Sequence, residues 1–131
     1  MDERKTSLLL ISISLILTLP TWSGGREGHW MAPAIEAGRK NPVPADKPSF
    51  ERGAKLYKTH CAACHGGTGR GDGPAGTGLT PKPADLTRMA KHHTDGDFAW
   101  KIANGRGAMP GWKSSLTDGQ IWDLVNFIKN K

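Results

Sequence analysis

Six consecutive residues constrain this chain more than any others: His60-Cys61-Ala62-Ala63-Cys64-His65. They contain both of its cysteines, two residues apart, and a histidine directly after the second. Cys-x-x-Cys-His is the attachment signature of a c-type haem. The chemistry explains the order. Two thiols add to the two vinyl groups of the porphyrin, and the two-residue gap sets both sulfurs along one ring edge. His65 then falls under the iron as an axial ligand. The implied cofactor is one covalently bound haem c. Three other uses of the motif fit less well. A structural zinc site needs four ligands, so His60, His65, His92 or His93 would have to complete it. A thioredoxin-like redox pair wants a preceding strand within a βαβ pattern, which the sequence lacks. A disulfide leaves His65 without a role.

The chain has 131 residues, enough for one domain. With a leader removed the folded part is about 80 residues, a size that buries little apolar surface alone. A haem tied in covalently would supply much of the missing core. The net charge is +6 at neutral pH, from Lys and Arg side chains scattered along the chain. Nucleic-acid binding asks for a dense basic patch on a known module, and neither is present. A scattered positive surface suits weak, fast docking to an acidic protein partner, and it serves solubility equally well.

Asp2-Glu3-Arg4-Lys5 opens the chain, and an apolar run from Leu8 to Leu19 is stopped by Pro20. A bilayer crossing takes about 20 residues, so this run has the size of a signal-peptide core. Thr21, Ser23, Gly24 and Gly25 are small residues that suit cleavage after Ser23 or Gly25. The expectation is export to the periplasm with residues 1–23 removed, or 1–25 at the later site. An uncleaved anchor in the inner membrane is the alternative, because Asp2 and Glu3 offset the bases. Residues 24–47 contain Trp30, Pro33, Pro42 and Pro44 and no periodic apolar face. They read as an extended arm lying over a domain that occupies residues 48–131.

Ser49 suits the cap of a first helix, with Phe50, Gly53, Ala54 and Tyr57 on one face. That helix delivers the cysteine motif and is stopped by Gly66-Gly67. In the glycine-rich loop that follows, Gly71, Gly73 and Gly76 spell G-x-G-x-x-G. No strand precedes it, Pro74 interrupts it, and the acid a dinucleotide site needs is missing. Its glycines are better explained by close approach to a flat ring. In the extended run Thr80 to Leu86, the Pro83 carbonyl is the expected acceptor for Nδ1–H of His65. Thr94 to Asp97 and Thr117 to Gln120 have the capping-box form. The first starts a helix from Asp95 to Asn104, and the second a helix carrying Ile121, Leu124, Val125 and Ile128 on one face. Between the two lies Met109, in a loop stiffened by Pro110. It is the candidate sixth iron ligand, with Met89, or His92 and His93, as alternatives.

Helix, Cys-x-x-Cys-His, Gly-Asp-Gly-Pro-Ala-Gly loop, Met-Pro and terminal aromatic helix together resemble a class I cytochrome c domain. The similarity runs from about Ser49 to Lys131 and is greatest to small exported bacterial mono-haem members. The resemblance implies an all-α fold of three to four helices around one covalently bound haem, with the first and last helices crossing at Gly53 and Phe127. It implies thioethers on Cys61 and Cys64 and axial iron ligands on His65 and Met109. The implied function is one-electron transfer between extracytoplasmic redox proteins, with no catalytic residue and no enzyme activity. Lys55, Lys58, Lys82 and Lys113 are candidates for a ring around an exposed haem edge, facing redox partners with acidic docking surfaces. Two alternatives stay open. One is a haem-bearing subunit through which electrons enter a larger oxidoreductase. The other is a haem enzyme or ligand sensor with a labile sixth position. Membrane contact is implied only through an uncleaved N-terminus.

Overall fold

A computed structural model describes residues 29–131; the leader expected over residues 1–23 lies outside them. The described residues form helices and no strands: α1 (Ala34–Ala37), α2 (Lys47–His60), α3 (Ala62–His65), α4 (Leu86–Met89), α5 (Asp95–Asn104) and α6 (Asp118–Lys129), with a 3₁₀ turn at Pro74–Gly76. Three of these are long and three are single turns, so the expected all-α arrangement holds. No helix among the described residues is long and apolar enough to cross a membrane.

Helices α2 and α6 make the most extensive helix pair. They meet at Gly53, where an added Cβ would overlap the Asp123 carbonyl and lie 2.7 Å from Phe127 Cβ. Only a residue without a side chain lets the two backbones come that close. Tyr57, one turn on, packs its ring 5.3 Å from that of Phe127. Around this crossing α5 and α6 bury Phe98, Ala99, Ile102, Ile121, Trp122, Leu124, Val125 and Ile128. The capping box of α6 forms in full, with Thr117 and Gln120 each satisfying the other's backbone amide.

Helix α2 starts earlier than its sequence suggests. Asp46 is the N-cap, accepting from Ser49 N at 2.9 Å, and Pro48 occupies the first turn. Ser49 is instead fully buried, and its hydroxyl donates to Asp123 Oδ1 at 2.7 Å. Both residues could cap; burial against α6 decided between them. Arg52 closes the same network with two bonds to Asp123, at 2.8 and 2.9 Å.

The segment before α2 is not extended throughout. Pro33 fixes the start of α1, and this turn packs against α5. At Gly96 an added Cβ would overlap the Glu36 carbonyl and lie 2.9 Å from that of Ala37. Thr94 donates its hydroxyl to Ala37 O at 2.6 Å, and Asn41 donates to Asn126 Oδ1 at 2.8 Å. Ala32 N donates to Asp97 Oδ1 at 2.6 Å. Asp97 therefore departs from its expected part in a capping box. Thr94 does cap α5, but the Asp97 carboxylate turns inward to meet His93 Nδ1 at 2.6 Å and Lys101 Nζ at 2.5 Å. All three side chains are buried.

Candidate haem site

Helix α2 ends on His60, Cys61 caps it, and α3 begins at once. The Cys61 carbonyl accepts from Cys64 N at 3.2 Å and from His65 N at 2.9 Å, so one turn carries both thiols and the imidazole. Both cysteines are half-buried. Burial pushes the Cys61 thiol up to about 12, and Cys64 beside it adds to the effect. A dithiol redox pair needs the opposite, a lowered thiol. The glycine loop packs on the back of this turn. A Cβ at Gly73 would overlap the Ala63 carbonyl and lie 2.6 Å from the Cys64 carbonyl carbon, and one at Gly76 would lie 2.7 Å from Cys64 O. The steric need for these glycines is the motif's own backbone.

His65 Nδ1 lies 3.1 Å from Ala84 O. A carbonyl oxygen only accepts, so Nδ1 carries the proton and Nε2 keeps its lone pair. The acceptor is one residue beyond Pro83, where the sequence pointed. The Pro83 carbonyl is turned toward Gly71, close enough to overlap any Cβ there, and the next carbonyl along the run is the one that reaches the ring. Burial lowers the His65 pKa, with the Ala84 bond opposing it. The imidazole is thus neutral at pH 7, the state that binds a metal.

Met109 sits in a closed turn. Its amide donates to Arg106 O at 3.0 Å, and its carbonyl accepts from Arg106 N at 2.9 Å. Beyond Pro110 the chain is tied back onto α5, by Trp112 N to Ile102 O at 3.0 Å and Lys113 N to Ala103 O at 3.1 Å. The Trp112 ring lies 4.7 Å from that of His60, which joins the Met109 loop to the first residue of the cysteine motif. Leu56, Cys61, Ala62, Met89, Met109 and Trp112 are all half-buried and lie against the core. Of the rival ligands, His93 is held by Asp97 and His92 is exposed. Met89, half-buried like Met109, lies in α4, which follows the Ala84 carbonyl bonded to His65.

A family model described as cytochrome c oxidase, cbb3-type, subunit III matches residues 48–128. The chain belongs to this family of c-type cytochromes. Cytochrome c6 of Nostoc sp. (strain PCC 7120) is 32% identical over 88 residues, covering 67% of this chain and 76% of that one. The cbb3-type cytochrome c oxidase subunit CcoP of Azospirillum sp. (strain B510) is 32% identical over 92 residues, covering 69% of this chain and 31% of CcoP. Among solved structures, a Kuenenia stuttgartiensis reducing HAO-like protein complex aligns with a TM-score of 0.61 at 26% identity, over 75% of this chain and 49% of that one.

Membership implies covalently bound haem c, and the residues fit that group. Two half-buried thiols and an imidazole with a free Nε2 share one turn, and Cys61 in that turn lies against the apolar core together with Leu56, Met109 and Trp112. Two thiols and a neutral imidazole on one turn are donors that suit such a group.

Proposed function

We propose that Cys61 and Cys64 hold the haem as thioethers and that His65 Nε2 and Met109 Sδ take its two axial positions. The observation that carries this reading is the His65–Ala84 hydrogen bond, which fixes the tautomer and orients the ring, as ligating histidines require. The bound haem supplies one-electron chemistry between the ferric and ferrous states. The chain is a c-type cytochrome electron carrier, and its residues set how that chemistry runs. A thioether ligand favours the ferrous state and raises the potential. With His65 and Met109 both bound, no position would remain for a substrate, which supports a carrier and not an enzyme.

Residues 48–131 form the cytochrome c domain of this reading, behind a leader of 23 or 25 residues and an arm over 24–47. Export to the periplasm follows from the leader, and the intact mass of the mature protein tests it. A second reading, a haem-bearing subunit of a larger oxidoreductase, is favoured by the similarity to CcoP; co-purification with oxidase subunits would establish it. Redox proteins are the partners. Lys55, Lys58, Lys82 and Lys113 are all exposed, and with the net charge of +6 they favour an acidic docking surface.

Stopped-flow mixing of the ferrous holoprotein with an acidic ferric redox protein tests both points. The expected result is transfer of one electron per haem, with a second-order rate that falls steeply as salt rises. No transfer would remove the carrier function. A rate independent of salt would remove the acidic partner.

A further inference from the structure

The loop that carries Met109 is pinned at its far end by the two backbone bonds to α5. Its near end leaves α5 at Gly105, whose amide bonds to Lys101 O at 2.9 Å, and has a further hold. Arg106, bonded to Met109 through both backbone groups, places its guanidinium carbon 5.8 Å from the centre of the Trp30 ring. Trp30 belongs to the segment before the cytochrome c domain. It is itself fixed to α5, with Lys101 Nζ 5.6 Å from its ring centre and the Trp100 ring edge-on at 6.3 Å. The segment is anchored on both sides of it. The His29 ring stacks on His93 at 5.7 Å, and Ala32 N donates to the buried Asp97 carboxylate. Farther along, Ala37 and Asn41 bond to Thr94 and Asn126.

We propose that residues 29–41 are a strap that holds the Met109 loop closed, with Trp30 as the positioning residue and Arg106 as the group it grips. The physical basis is short. A thioether is a weak ligand that stays on iron only while its loop stays in place. The bonds from Trp112 and Lys113 restrain the loop after Met109, Gly105 ties it to α5 before Arg106, Met109 itself lies half-buried against the core, and Arg106 adds the turn's contact with Trp30. A cation over an indole face within about 6 Å is an attractive contact, and here the indole sits on an element tied to a fully buried carboxylate. Loosening that contact lowers the cost of swinging Met109 away, and any competing ligand for iron gains by the same amount.

The inference rests on Met109 as the axial sulfur. Its test is titration of the ferric holoprotein with imidazole, followed by the loss of the sulfur-to-iron charge-transfer band. Trp30→Ala is expected to tighten apparent imidazole binding about threefold to tenfold. Trp30→Phe, which keeps an aromatic face, should recover most of the wild-type affinity. Arg106→Gln changes an exposed side chain, so it leaves the fold intact even if Trp30→Ala does not. It is expected to shift binding in the same direction. The double variant should exceed the larger single effect by little, because both remove one contact. Unchanged affinity in Arg106→Gln and Trp30→Ala, with the charge-transfer band present in the wild type, overturns the strap and leaves the ligand reading standing. A wild type with no such band overturns the ligand reading, and the strap with it.

Discussion

Replacing Asp97 by alanine is expected to destabilise the holoprotein by about 3–5 kcal/mol, the cost of leaving a buried charge without its partner. The Asp97 side chain is fully buried, and those of His93 and Lys101 are 5% and 4% exposed. One carboxylate answers three donors: Ala32 N, His93 Nδ1 and Lys101 Nζ. Burial alone would raise its pKa, but the Ala32 amide, Lys101 and His93 outweigh burial and hold it below the ordinary 3.8. The sign of the pH effect follows. A carboxylate with a depressed native pKa contributes stability above its ordinary value, and that contribution is lost as pH falls through the native value. Guanidinium unfolding across the acid range should therefore show a flatter pH dependence in Asp97→Ala than in wild type. Removing Lys101 as well, as Asp97→Ala with Lys101→Met, should cost less than the sum of the two single changes, because no buried ammonium is then left unpaired. A loss below about 1 kcal/mol in Asp97→Ala would mean that water reaches the cluster.

Met109→Ala is expected to convert a closed haem into an open one. The wild-type ferrous protein should not bind carbon monoxide at neutral pH, and the variant should bind it readily. The midpoint potential should fall by on the order of 0.2 V, within the range of about 0.8 V that axial ligands span. The cause is loss of the soft sulfur that favours ferrous iron. Met89→Ala is the control, since that residue is the rival thioether, in α4. If Met89→Ala opened the iron and Met109→Ala did not, the axial assignment would move to the other thioether. A wild-type protein that bound carbon monoxide freely would favour a sensor or enzyme over a carrier.

The parts of the account carried by adjacent residues were legible in the sequence. Cys61, Cys64 and His65 share one turn because their spacing is helical, and that turn is α3 with its cap. Thr117 and Gln120 formed the capping box their spacing advertises, and Gly105 ends α5 at a positive φ of 66°. The helix crossing at Gly53 and Phe127 was readable only through the family resemblance, because nothing local ties residue 53 to residue 127. The misreadings share one physical cause. Ser49 and Asp46 are equally good caps in isolation, and Asp123, 74 residues away, claims Ser49. Asp97 sits at the third position after Thr94 and looks like capping-box chemistry. Its i,i+4 spacing to both His93 and Lys101 was a signal of the buried cluster, but burial depends on Ala32, 65 residues earlier, folding back onto α5. The choice of Ala84 over Pro83 depends on how the loop packs against Gly71, which no local pattern encodes.

Trypsin offers the most direct measurement of haem attachment. Cleavage after Lys58 and Arg70 releases the peptide Thr59 to Arg70, which contains both cysteines and His65. The expected species carries the mass of the peptide plus one haem, absorbs visible light, and has no thiol left for an alkylating reagent. Recovery of that peptide without added mass, with both Cys61 and Cys64 alkylated and the pigment lost to acidic acetone, would contradict the account at its base.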